Sequence, residues 1–193
     1  MGKFSMDVRK VAMEVMGAIT ESLGLGPSYK SDKLEDGMQV MTVNCYPACP
    51  QPDRVLGLPP HSDYSCITVL LQSCPGLQVI ATDDDEWRLI PEIHGALQVH
   101  VGDHLEVLSN GIYKSVVHRA TLNSEKNKIS IASLHSLAMD EKIETAKDWW
   151  MNNIQKDTKK AALEIFLNFS PPMILLKGTA SLRLLNSKPK MFN

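Results

Sequence analysis

Between Asp7 and Leu23 the apolar side chains fall at Val8, Val11, Ala12, Val15, Met16, Ile19 and Leu23, a period near 3.6. This predicts a helix with one buried face, stopped by Gly24 and Gly26. Met6, Met13 and Met16 on that helix read as adaptable core filler. From Met38 the rhythm shortens. "MQVMTVNCY", "ITVLLQ", "GLQVIA", "EWRLIP", "ALQVHVG", "EVLSN", "YKSVVHRAT" and "KISIASLHS" are β-rich segments separated by Gly, Pro, Asp and Asn turns. Short strands at close spacing predict an all-β sandwich or barrel, of jelly-roll type. A parallel α/β sheet needs crossover helices, and no stretch between Met38 and Ser136 is long enough to supply them.

After Leu137 the pattern turns helical again, in "MDEKIETAKDWWMNNIQKDTKKAALEIFLNFS", until Pro171-Pro172 breaks it. The closing "MILLKGTASLRLLNSKPKMFN" has no clear period and is expected to be irregular. The chain thus divides into an N-terminal helix and linker (1–37), a β core (38–137), and a C-terminal helical segment with an irregular tail (138–193).

Composition narrows the function classes. With 44% hydrophobic and 22% charged residues, the 193-residue chain has the balance of a globular protein able to bury a sizeable core. A net charge of -2, without basic runs, gives no reason to expect nucleic acid or an anionic membrane surface as a partner. No apolar run approaches the ~20 residues that span a bilayer. The start lacks a signal-peptide block, and Met6 breaks the myristoylation pattern begun by Met1-Gly2. Cys45, Cys49, Cys66 and Cys74 form no CxxC pair, so they read as reduced thiols of a cytoplasmic protein.

The candidate chemistry lies in "LPPHSDYSCITVLLQ". In a strand, residues i and i+2 share a face, so His61 and Asp63 project together if the strand reaches back that far. An imidazole and a carboxylate on one face are two-thirds of a 2-His-1-carboxylate iron site. The third ligand has to come from a distant strand, and the remaining histidines are His94, His100, His104, His118 and His135. His118, in "YKSVVHRATL", is the best placed. If "NSEKN" closes an ordinary hairpin, Lys128 lies on the neighbouring strand about 13 Å along from His118, four residues at ~3.3 Å each. A short dicarboxylate held by a metal at His118 would then meet the Lys128 ammonium, and Ser130 on the same face would add a hydroxyl. Taken alone, an HxD pair is more often a surface turn, a strand histidine more often structural, and a hairpin lysine usually a solvated charge.

The blocks "NCYPACPQPDRVLGLPPHSD", "GLQV", "EWRLIP", "GDHLEVLSNGIYKSVVHRA" and "KISIASLHS", in this order and spacing, decide among these readings. From about Val8 to Leu137 the chain resembles the plant-type 2-oxoglutarate/Fe(II)-dependent dioxygenases. The flavanone-hydroxylase-like and salicylate-hydroxylase-like members are the most similar. The resemblance implies a double-stranded β-helix (jelly roll, cupin-like), mainly β, with flanking α-helices. It implies Fe(II) held by His61, Asp63 and His118, and 2-oxoglutarate as cosubstrate. By position, Asn44 and Tyr46 match polar residues near the cosubstrate, and Lys128 and Ser130 match the Arg-x-Ser clamp on its distal carboxylate. The implied activity oxidises a small plant metabolite (a flavonoid, phenolic or hormone) with dioxygen, releasing succinate and CO2, with ascorbate as supporting reductant. A monomer is expected.

Two departures stand out. Lys128 replaces the arginine of the pattern, exchanging a planar two-pronged donor for a point charge. Members of the family also usually carry an N-terminal region before the helix that opens this chain, and "SPPMILLKGTASLRLLNSKPKMFN" does not resemble their ending. The expectation is a chain truncated at its N-terminus, through its gene prediction or splicing, with an exposed sheet edge. The alternative function is a catalytically silent isoform that keeps the metal ligands.

Overall fold

The computed structural model describes residues 2–25, 29, 34–80, 85–145 and 173–177. Helix α1 (Gly2–Ser22) leads into β1 (Gln39–Tyr46), β2 (Leu56–His61), β3 (Ile67–Gln72), β4 (Leu77–Ile80), β5 (Trp87–Leu89) and β6 (Ala96–Val101). Helix α2 (Asp103–Leu108) and strands β7 (His118–Thr121), β8 (Lys128–His135) and β9 (Met173–Lys177) follow. The strands form two antiparallel sheets, a major one ordered β1-β8-β3-β6-β9 and a minor one ordered β2-β7-β4-β5. This is the double-stranded β-helix expected from the sequence.

The two faces of the major sheet differ in chemistry, and this places the site. Strand alternation sends Ile67 and Val69 of β3, with Val99 and Val101 of β6, to the outer face. There they pack against Val8, Ala12, Val15, Met16 and Ile19 of α1 in one core cluster. Met16 is buried as filler, Met13 packs partly against the cluster, and Met6 is 59% exposed. Arg9 ties the helix down by donating to the carbonyls of Gly37 and Glu35. The inner face of the same sheet carries Thr68, Leu70 and Gln72 of β3 and Lys128, Ser130, Ala132 and Leu134 of β8. Buried polar side chains on a sheet's inner face require partners, so this face is built around something other than a dry core.

Several elements differ from their sequence-based expectation. "EVLSN", expected as a strand, belongs to helix α2 and its exit. Leu105 and Leu108, three apart, bury together, and Asp103 and Glu106 suit the positive N-terminal end. Asn110 and Gly111 at positive φ end the turn. Strand β2 went unrecognised because Pro59-Pro60 interrupts it; as the edge strand of its sheet, with two register irregularities against β7, it needs no continuous donor row. The strand holding His61 ends there, so Asp63 lies in the following loop, not on a strand face.

The expected β7–β8 hairpin is also overturned: β7 pairs with β2 and β4, β8 with β1 and β3, in different sheets. The side chain of Asn123 accepts from the backbone N–H groups of Glu125 and Lys126, a tight Asx-type turn that carries the chain from one sheet to the other. The described start of the expected C-terminal helix, residues 139–145, is a turn and irregular chain, and the rest lies outside the described residues. Within the tail expected to be irregular, Met173–Lys177 pairs antiparallel with β6. A run of consecutive apolar residues carries no period of its own, and only a free sheet edge selects it as a strand. At the opposite edge and on β2, Val43 and Leu56 are 54% and 43% exposed.

Candidate metal centre and anion pocket

The β2–β7 register sets His61 directly opposite His118, with ring centroids 4.3 Å apart. Asp63 Oδ1 lies 3.9 Å from His61 Nε2 and 3.9 Å from His118 Nε2. One ligand atom from each of the three residues falls within a 4.8 Å span. The contacts to Asp63 are too long for hydrogen bonds, yet within twice the ~2.1 Å length of a metal–ligand bond.

The backbone fixes which nitrogen faces the centre. His61 Nδ1 lies 2.8 Å from the carbonyl of Pro59, and His118 Nδ1 lies 3.0 Å from that of Val116. Donation of Nδ1–H to a carbonyl two residues back leaves both Nε2 lone pairs free to ligate. Burial pushes the His118 pKa down and outweighs the opposing pull of the Val116 carbonyl and the Asp63 carboxylate, which favours the neutral ligating form. The Asp63 loop is clamped from below: Asp103 N–H donates to the Asp63 carbonyl at 2.8 Å and Gly102 N–H to Cys66 at 3.0 Å, while Ser62 Oγ donates to the Asp103 carboxylate. Helix α2, not legible in the sequence, therefore positions the loop that carries the Asp63 carboxylate.

The three groups open onto a cavity of about 260 Å³ between the sheets, slightly below the range of roughly 300–1,000 Å³ common for small-ligand sites. Its other pole is polar. Tyr46 stands opposite Lys128, and Asn44 opposite Ser130, across β1 and β8. Lys128 is 3% exposed and Ser130 6% exposed, and burial lowers the lysine pKa to about 8. Among the described residues no carboxylate pairs with Lys128. Gly76, at φ 142°, gives the ammonium room, because a Cβ there would sit 2.9 Å from Nζ. Asn44, Tyr46, Lys128 and Ser130 are thus brought together at one end of the cavity, with His61, Asp63 and His118 at the other.

Residues that sequence reading passed over also line this space. His100 is 1% exposed, its ring 5.0 Å from that of His118, and among the described residues neither ring nitrogen has a partner. Gln72 is likewise buried with both amide atoms unpartnered. The available signal was alternation: Thr68 and Gln72 share the face of "ITVLLQ" opposite the helix-packing one. The remaining histidines lie elsewhere. His135 is on the α1 side, against Ser133 Oγ, His104 meets Ser136, and His94 is an exposed turn residue. Arg119 is half-buried over the Trp87 ring and donates to Gln78.

A jelly roll whose minor sheet presents two imidazoles and an adjacent carboxylate defines the class of 2-His-1-carboxylate non-haem iron proteins. Residues 37–136 match the 2OG-Fe(II) oxygenase superfamily, and the chain belongs to it. Fe(II) and 2-oxoglutarate are that family's cofactor and cosubstrate. The donor set, with both imidazoles held in the ligating tautomer, and the unpaired ammonium suit them. Among similar proteins, "2-oxoglutarate-dependent dioxygenase 21, chloroplastic" from Oryza sativa subsp. japonica is 49% identical over 89% of this chain and 52% of its own length. "Flavanone 3-dioxygenase 3" from the same organism is 49% identical over 77% of this chain and 45% of its own. The crystal structure of JOX2 with 2OG, Fe and JA superposes with TM-score 0.70 at 32% identity, covering 76% of this chain and 44% of that one. The chain spans about half the length of the curated relatives it matches.

Proposed function

We propose that this chain carries the centre of an Fe(II)- and 2-oxoglutarate-dependent dioxygenase that oxidises a small plant metabolite, with residues 38–137 as its functional core. The observation that carries the reading is one cavity with two chemically distinct poles. His61, Asp63 and His118 converge at one, and Lys128, buried and without an acidic partner among the described residues, stands at the other. A 2-oxo acid with a second carboxylate answers both poles at once.

In this reading His61, Asp63 and His118 hold the iron. The backbone carbonyls of Pro59 and Val116 keep the two Nδ1 protons, so neither imidazole need lose one on binding. Lys128 neutralises the distal carboxylate and Ser130 donates its hydroxyl to it. Burial holds the Tyr46 phenol above its ordinary pKa, so it stays protonated as a donor beside Asn44. Leu58, Leu77 and Ala120 line the wall between the poles and exclude water, which strengthens each of these contacts. Bound iron, with 2-oxoglutarate and dioxygen, supplies the oxidising chemistry and releases succinate and CO2. Relatives named for flavanone and flavonol chemistry support a flavonoid substrate; a phenolic or hormone substrate, ascorbate as supporting reductant and a monomeric protein belong to the same proposal.

A second reading is a silent, metal-binding form. Its support is the β1 wall, where Thr42 is exposed and Asn44 and Tyr46 only half-buried, together with lysine in place of arginine. Purified protein with Fe(II), ascorbate and 2-oxoglutarate separates the two. Succinate above a His61→Ala control, even without added substrate, supports the dioxygenase; equal signals support the silent form. A panel of flavanones and phenolic acids then identifies the substrate class. Among the described residues no helix is long and apolar enough to cross a membrane. The four free thiols suit a reducing compartment such as the cytoplasm, and imaging a fluorescent fusion tests that placement against the chloroplast.

A further inference from the structure

We infer that Gln72 is a further ligand of the cosubstrate's distal carboxylate, supplying through its side-chain amide the second prong that lysine lacks. This rests on the dioxygenase reading above and assigns a residue to the same pocket.

Gln72 closes β3 and faces Ser130 directly in the β3–β8 register, so their Cβ atoms are about 4.5–5.5 Å apart. Asn44 faces Ser130 from the other side, which makes Asn44, Ser130 and Gln72 one polar row across three strands. Lys128 is two residues from Ser130 on the same face of β8. All four line the cavity. Gln72 is 8% exposed, and among the described residues neither Nε2 nor Oε1 has a hydrogen-bond partner.

A buried amide with both ends unpaired is costly, and so is a buried ammonium without a counterion. Here the two costs fall at the same end of one cavity, and one ligand relieves both. A carboxylate there accepts from Gln72 Nε2–H with one oxygen and from Lys128 Nζ–H with the other. Gln72 Oε1 is left to accept from the Ser130 hydroxyl or from the ammonium. Lysine and glutamine together then offer the two parallel N–H donors that a single guanidinium would provide. A bridging water would satisfy the amide but leave the ammonium without its anion. His100, whose ring nitrogens also lack partners among the described residues, lies beside the His118 ring and does not compete for this role.

The test uses the full chain loaded with Mn(II), a redox-silent stand-in for Fe(II), and calorimetric titration with 2-oxoglutarate and with pyruvate. Pyruvate keeps the 2-oxo acid head and lacks the distal carboxylate. Gln72→Met keeps the shape of the side chain and removes both hydrogen-bonding atoms. It is expected to weaken 2-oxoglutarate roughly tenfold and to leave pyruvate unchanged. The melting temperature of the ligand-free protein rises, since the unpaired amide is gone. Gln72→Glu, placing a like charge against the ligand, weakens 2-oxoglutarate further. Adding Lys128→Arg to Gln72→Met restores the affinity. Unchanged 2-oxoglutarate binding in Gln72→Met, or equal weakening of both acids, overturns the role of Gln72 alone. Failure of the unaltered protein to bind 2-oxoglutarate overturns the dioxygenase reading along with it.

Discussion

Tyr46 and Lys128 stand directly opposite one another across β1 and β8, the ammonium 5.9 Å from the centre of the phenol ring. That separation is at the outer limit of a cation–π contact, so the ring offsets only part of the cost of burying the charge. On the proposed reading Lys128 serves as the receptor for an anion, and two expectations follow from it.

Lys128→Arg should tighten 2-oxoglutarate. One additional charge-assisted hydrogen bond is worth at most about 1.5–3 kcal/mol, so a gain of roughly tenfold or somewhat more in affinity is expected. Calorimetric titration of the Mn(II)-loaded protein measures it, and identical affinities would remove the account of this position.

Alkaline pH should loosen the cosubstrate. Burial lowers the Lys128 pKa from its ordinary 10.5 to about 8, so the cation that meets the carboxylate is lost progressively above that pH. Stability of the ligand-free protein moves the other way. Between about 8 and 10.5 the unfolded chain holds a proton that the folded chain has released, so this group's contribution to stability rises with pH. Lys128→Met should bind weakly at every pH and lack both slopes, as titration and thermal melts across that range would show.

Each of His61→Ala, Asp63→Ala and His118→Ala should cost more metal affinity than the roughly 10–100-fold that loss of an outer hydrogen-bond partner costs. The rise in melting temperature on adding Mn(II) or Fe(II) under anaerobic conditions should disappear in all three. His94→Ala, in an exposed turn, is the control that keeps it.

Gly102→Ala should damage the site from outside the cavity. An added Cβ would sit 2.1 Å from the Ser65 carbonyl oxygen and 2.8 Å from that of Asp63. Relief requires moving the loop that presents the carboxylate. Overpacking of this kind costs about 1–3 kcal/mol, and metal affinity should fall together with the melting temperature. A variant that melts lower but binds metal normally would show that the loop moves without shifting Asp63.

Acid should destabilise the fold through His135. Burial, with a smaller push from Arg9, lowers its pKa from 6.5 to about 4. The folded chain refuses the proton that the unfolded chain accepts, so stability present above about 6.5 is lost as pH falls toward 4, on the order of 3 kcal/mol at the limit. Denaturant titrations of His135→Gln should show a flatter acid limb over that interval. Because His135 faces α1 and not the metal cavity, the effect should appear in metal-free protein.

Local chemistry left its mark on the chain wherever an element carried its own period. The spacing of Val8, Ala12, Val15 and Ile19 announced α1, and alternation announced β3, β6 and β8 with ends close to those observed. The ordered blocks around His61, Asp63, Lys128 and His118 pointed to the family. Signals that depend on sequence-distant partners were illegible. Strand β2 exists because an edge tolerates Pro59-Pro60, and α2 was mistaken for a strand because a single helical turn and a short strand bury similar apolar pairs. Nothing local distinguishes a turn that closes a hairpin from one that crosses between sheets, so His118 and Lys128 were placed in one sheet when they belong to two.

Candidate ligand types, helical and strand periods and the family are legible along the chain, because each is written in side-chain identity and short-range spacing. The meeting of His61 with His118 across a register, the support of the Asp63 loop by α2, and the facing of Gln72 and His100 into the same cavity as those three side chains emerge only on folding. Convergence of that kind is a property of how two sheets stack, and sheet stacking is set by the burial of the whole chain, not by any segment of it.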